Sequence, residues 1–331
     1  MIDFRYHLVS IISIFLALAV GIVLGAGPLK GSIGTTLTTE LANVRKDKAQ
    51  LNDQLQQAKS LQAASNEFAA DVVPGLVKGS LAGRRVALVL GPQAGDAAHK
   101  GVTDAVTAAG GSVVATVTLQ GSFLDAEHAA ERQQALAASA TALGITGGAA
   151  DRPGAVLGSA LMTGGAAAAP AAADAASALQ ALTKGGYVKV TRTDGADDPT
   201  LAVVLPGAVS TTSPDERSAQ TSAYLALARG LDAGGAGTVV VSDQATAAID
   251  GSAASVVSAA RRSNATSEAV STVDDVDLPM GRAALALALA AEAKGASGRY
   301  GVLDDAQAVV PPLPTAASTS TSTASASPKA S

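Results

Sequence analysis

The chain has no Cys, and only 2% of its 331 residues are aromatic. Without Cys there is no disulfide scaffold, no CxxC redox centre and no thiolate metal site. His is scarce too, at three residues, and Met occurs only as Met1, Met162 and Met280. Copper prefers sulfur or clustered imidazole, so these scattered ligands argue against a tight copper site within one chain. Basic residues form no block and the net charge is −5, which excludes a nucleic-acid protein, because phosphate contacts need clustered Lys and Arg. There is no GxSxG elbow, no HExxH helix and no third Gly of a dinucleotide fingerprint after Gly91-Pro92-Gln93-Ala94-Gly95. That segment reads as a turn. No nucleophile is paired with a base, so no enzyme is expected, and no resident cofactor or small-molecule substrate is evident.

What is present starts with Leu8–Leu29, a run free of charge. A helix over this run reaches roughly 33 Å, enough to cross the hydrocarbon core of a bilayer. A signal peptide has a shorter apolar region, and Pro28 follows the small residues Gly25 and Gly27, so a retained anchor is favoured over a cleaved leader. From 33 to 70 the chain is charged and amide-rich, and Leu37, Leu41, Val44, Leu51, Leu55 and Ala58 recur at spacings of three and four. This heptad-like seam, with Lys48 and Gln62 at its a positions, predicts a coiled-coil stalk that pairs with a second copy or a partner's helix. The alternative is one amphipathic helix packed on its own domain. Asp71, Pro74, Gly75 and Gly79 mark the end of the pattern.

Beyond this joint the period changes. Arg85–Leu90, Ser112–Leu119, Tyr187–Val190, Leu201–Leu205 and Thr238–Ser242 are short apolar runs suited to buried strands. Helical stretches alternate with them: 97–109, Asp125–Leu143, Pro214–Leu231, Ala253–Arg262 and Pro279–Lys294. The Gly/Ala-rich passage 147–173 has no assignable period. The reading is an α/β protein: a single N-terminal transmembrane helix (8–29) after a short leader (1–7), a coiled-coil stalk (33–70), and a head (81–310) with a mostly parallel sheet flanked by helices. The Pro/Ser/Thr/Ala tail 311–331 carries too little apolar surface to order itself.

The most site-like segment is Asp274-Asp275-Val276-Asp277 followed by Gly281-Arg282. Pro279 suits a first helical turn, Asp277 can cap it, and Arg282 is expected to bring its guanidinium towards the acidic group. Asp274, Asp277, Gly281, Arg282 and Tyr300 form the candidate cluster, structural or recognition.

Three features together resemble the actinobacterial copper transporter family, the MctB-like proteins that also include SteB. They are Ile2-Asp3-Phe4-Arg5-Tyr6-His7 leading into SIFLALAVGIVLG, Ser271–Asp277 with Gly281-Arg282, and Gly298-Arg299-Tyr300-Gly301. The resemblance covers residues 1–310. It implies a cell-envelope protein assigned to copper efflux and described as an outer-membrane channel. Its SteB branch implies instead a membrane-anchored, non-catalytic scaffold for a protein partner in envelope or division control. A pore needs segments alternating between lipid-facing and lumen-facing residues. The continuous apolar strands here fit a buried sheet, and the expectation is a single-pass protein with its head outside the cytoplasm.

Overall fold

A computed structural model describes residues 4–26, 28–165, 169–207, 213–243 and 253–313. The chain divides into two compact units, Met1–Ser65 and Asn66–Ser331. In the first, α1 (Phe4–Ala26) is long and apolar enough to cross a membrane, and none of that span is buried. Helix α2 (Pro28–Val77) begins there, and its last turns belong to the second unit. It passes through Pro74 and Gly75, where the breaker cluster was expected to end it. The last turn is held by burial: Val77 is fully covered and Val73 packs on the head's core, which offsets the hydrogen bond Pro74 cannot donate.

The second unit alternates strand and helix. The elements are β1 (Arg85–Leu90), α3 (Asp96–Ala108), β2 (Ser112–Leu119), α4 (Gly121–Leu124), α5 (Ala129–Ala135), α6 (Ala137–Ala142), α7 (Arg152–Leu161), α8 (Ala172–Lys184) and β3 (Val188–Arg192). They continue with β4 (Leu201–Leu205), α9 (Pro214–Gly234), β5 (Thr238–Val241), α10 (Ala253–Arg262), α11 (Asn264–Ser267), β6 (Ser271–Val273), α12 (Pro279–Glu292) and β7 (Arg299–Tyr300). Among the described residues they build one seven-stranded sheet in the order β3-β2-β1-β4-β5-β6-β7, parallel except for β3 on its edge.

Successive strand residues feed opposite faces, so the sheet has a core on each side. Val86, Leu88, Val203, Val239 and Val241 pack with α3 and α12 on one face. Ala87, Val89, Val117, Val204 and Val240 pack with α7, α9 and α10 on the other. Burial on both faces is why these strands read as unbroken apolar runs rather than as alternation.

One expectation needs correction, and three elements carry no sequence signal. The helix expected over Asp125–Leu143 is α5 and α6, broken at Leu136, whose side chain is fully buried. The unassigned passage 147–173 contains α7, a buried helix packed against α9. Its lack of large side chains is the condition for that contact: a methyl group on Gly158 would lie 1.9 Å from the carbonyl oxygen of Gly230. Strands β6 and β7, three and two residues long, are too short to show a period of their own. The start of α9 is legible in its cap, where the Ser213 hydroxyl accepts from the Glu216 amide and Pro214 opens the first turn. The Pro/Ser/Thr/Ala tail expected over 311–331 lies mainly at 314–331, outside the described residues.

Candidate functional site

The segment after β6 is organised by a residue the sequence pattern did not single out. Arg261, in the last turn of α10, has a side chain 1% exposed and forms an ion pair with the buried Asp274 carboxylate at 2.8 Å. Its other donors are spent as well: Nε on Thr272 Oγ1 (2.9 Å), Nη2 on the Tyr300 carbonyl (2.7 Å) and Nη1 on Asp305 Oδ1 (2.5 Å). Asp274 also accepts from the amides of Val302 (2.7 Å) and Leu303 (3.2 Å). A buried pair so fully bonded ties α10, β6 and the chain after β7 together. A signal for Arg261 does exist, since it follows Val257 by four on the helix face that buries Val256, Val257 and Ala260.

Asp275 is the opposite case. It is fully buried, and among the described residues neither carboxylate oxygen has a hydrogen-bond partner. Burial, with the nearby charges of Asp274 and Asp277 adding to it and Arg261 opposing, pushes its pKa up to about 7. The first turn of α12 rests directly on it: a methyl group on Gly281 would stand 1.9 Å from the Asp275 carbonyl oxygen and 2.5 Å from Oδ1. That contact is the reason for glycine at this place in the Gly-Arg pair.

Arg282 does not reach the Asp274 carboxylate. Its Nη2 donates to the Asp277 carbonyl (3.1 Å) and its Nε to the Val276 carbonyl (3.4 Å), and the carboxylate near Nη1 is Asp104 of α3, at 3.9 Å. Nor is Asp277 the cap of α12, which starts after Leu278 as N-cap with no side-chain cap bond. Arg282 therefore joins α12 to α3, and Arg261 is the cation of the acidic group. Tyr300 is buried as part of the core beneath α12, and only its carbonyl meets the cluster, through Arg261.

A second acidic group lies at the other end of α12, around its last residue. Asp232, Glu268 and Glu292 line a cleft of about 320 Å³. Glu292 is 4% exposed and accepts from the Ser271 amide at 2.6 Å. Burial raises its pKa to about 8, with Asp232 adding repulsion and Ser271 opposing, and burial raises Asp232 to about 6. Glu292 was missed because an Ala/Leu helix such as α12 is buried nearly all round, which the sequence of one helix cannot show.

The crevice where an open α/β sheet often holds a ligand, between the carboxyl ends of β1 and β4, is filled by backbone. A methyl group on Gly207 would fall 1.6 Å from the Pro92 carbonyl oxygen, and the Gly207 amide donates to the buried Tyr224 hydroxyl at 3.2 Å. Gly91–Gly95 is a turn there, as its sequence suggests.

On α2, Leu37, Leu41, Val44, Leu51 and Leu55 are 49–68% exposed, and Ala58 is exposed too. For copper, Met162 is buried in the core, and His7, His99 and His128 stand on or beside three different helices. Among the described residues no group of three or more His, Asp and Glu is arranged to hold a metal ion.

Comparison with known proteins gives one consistent match. The family profile described as "Copper transport outer membrane protein, MctB" matches residues 1–311. The chain is 30% identical to "Copper transporter MctB" of Mycobacterium tuberculosis over 321 residues, which is 93% of this chain and 99% of that protein, and the match to the Mycobacterium bovis protein has the same extent. The Mycobacterium leprae protein of the same name is 30% identical over 327 residues, 94% of this chain and all of its own length.

Proposed function

The chain belongs to the MctB family of copper transport outer membrane proteins, and from that premise we propose that it is an envelope protein of copper homeostasis, with copper as cargo rather than resident cofactor. The single observation that carries this reading is the extent of the match. It runs from α1 to the last described residues, so the apolar helix, α2 and the head are shared as one architecture. In this reading α1 anchors the chain in the membrane as a single crossing and the head lies outside the cytoplasm.

How the chain acts on copper follows from its ligands. Cu(I) seeks thiolate or thioether and Cu(II) seeks imidazole, and here the sulfur is in Met alone and the imidazoles are dispersed. One apolar helix encloses no pore, and the sheet buries apolar side chains on both faces instead of alternating lipid-facing and lumen-facing residues. Copper passage then requires an assembly, with several chains or a partner joined through the exposed seam of α2. The same seam supports a second reading, a non-catalytic scaffold for a protein partner in the envelope.

Measuring cell-associated copper in a deletion strain separates the two. A rise on deletion, reversed by the wild-type gene, is expected, and unchanged copper content would leave only the scaffold. Titration of the full chain with Cu(I) and Cu(II) is expected to give no stoichiometric submicromolar site. Finding one would overturn the assembly route and make this chain a direct carrier.

A further inference from the structure

Between α5, α7 and α9 the head holds a cavity of about 480 Å³, within the size range of small-molecule sites. Most of the wall is apolar: Leu124, Ala129, Pro153, Ala219, Ala223 and Ala226.

Two arginines break that wall, and they differ. Arg229 is neutralised, with Nη2 on Asp151 Oδ1 at 2.6 Å and Nη1 on Thr266 Oγ1 at 3.0 Å. Arg132 is not. It is 7% exposed, its Nη1 donates to the carbonyls of Ser122 (2.5 Å) and Asp125 (3.3 Å), and its buried Nε has no hydrogen-bond partner. No described carboxylate forms a contact ion pair with it, and the Asp125 carboxylate acts on it only at longer range. Burial disfavours its charged form, with Tyr187 and Asp125 opposing, and a guanidinium does not give up its proton inside a protein. A charge kept in an apolar wall without a contact counter-ion is costly unless something brings the opposite charge closer.

We propose that this cavity binds a small organic monocarboxylate, its carboxylate paired with Arg132 and its apolar body lying against Pro153 and the alanines of α9. One cation without a contact ion pair matches one negative charge. A phosphate dianion would need further donors, and the nearest hydroxyl has none to offer, because Ser222 already donates to the Ser218 carbonyl at 2.8 Å. Gln133, also in the wall, is the neutral group that completes the polar end.

The test uses the full chain in detergent, titrated calorimetrically with benzoate and hexanoate as carboxylate probes, benzamide as the neutral isostere of benzoate, and inorganic phosphate as a bare anion. Saturable binding of a carboxylate at up to about 10 mM is expected, since ligands of this size bind weakly, and benzoate should exceed benzamide by roughly tenfold or more. Arg132→Gln should remove that preference. Because Arg132 also braces two carbonyls, Ala219→Phe serves as a second variant: it fills the cavity, leaves every Arg132 bond in place, and should abolish carboxylate binding at unchanged Tm of the free protein. Benzamide binding as well as benzoate, phosphate binding better than either carboxylate, unaltered binding in Ala219→Phe, or no saturable carboxylate binding would each overturn the proposal.

Discussion

Arg261 and Asp274 show what a charge costs once covered. Both side chains are essentially free of solvent, so removing one partner leaves the other without compensation. Asp274→Asn is expected to lower unfolding free energy in urea by about 3 kcal/mol, the lower end for a broken buried pair because Asp305 stays on Arg261. An unchanged midpoint would mean that the pair merely breaks even. Glu292 makes the complementary argument, since its folded pKa of about 8 lies above its ordinary 4.5. Its contribution is complete below pH 4.5 and is lost as pH rises through 8, and Asp232 and Asp275, raised to about 6 and about 7, act with the same sign. The groups around it, Asp232, Glu268 and Tyr300, supply no positive charge. Melting temperature should therefore fall by several degrees between pH 6 and 9, because a tenfold change in proton affinity is worth about 1.4 kcal/mol and each kcal/mol moves Tm by roughly 2–4 °C. Glu292→Gln keeps the acceptor for the Ser271 amide and should flatten that profile. A mutant profile as steep as that of the wild type would assign the titration to other groups.

Among the elements, α2 and α12 mark the two extremes of what a helix can disclose. The leucine seam of α2 repeats at three and four and its members are exposed, and in the reading proposed above this seam meets another helix. Leu51→Asp puts a charge into that seam and should shift the full chain in detergent to a lower mass in sedimentation velocity. A wild-type protein that already sediments as a monomer, alone and with its envelope extract, would remove the assembly reading. Helix α12 carries almost no amphipathic signal, because the sheet, α3 and the chain after β7 cover it on all sides. Helix α7 was illegible for a related reason: a Gly/Ala passage has no apolar period when its function is to let two backbones approach.

On the scale of the whole molecule, the proposed reading has α1 set the location and the rest of the chain set the activity. The orientation proposed above predicts that a cysteine placed at Ser218, on the exposed side of α9, reacts with an impermeant maleimide in intact cells, while one at Asp3 reacts only after lysis. The Cys-free chain makes both signals unambiguous, and the reverse pattern would put the head in the cytoplasm. The sequence by itself determined the α/β alternation, the membrane-length helix, the family and most strand limits, because these depend on local periodicity, on turn residues and on uninterrupted apolar length. Tertiary structure alone decided the rest: that β3 lies antiparallel on the edge, that Arg261 rather than Arg282 is the partner of Asp274, that Asp275 and Glu292 are buried acids, and that Arg132 stands in a cavity wall without a contact ion pair. The physical reason is common to all four. Each depends on groups far apart in the chain, such as Asp274 with Arg261 and Val302, or Arg132 with the wall of α9. Only the packing of one element on another sets their distances and removes their water.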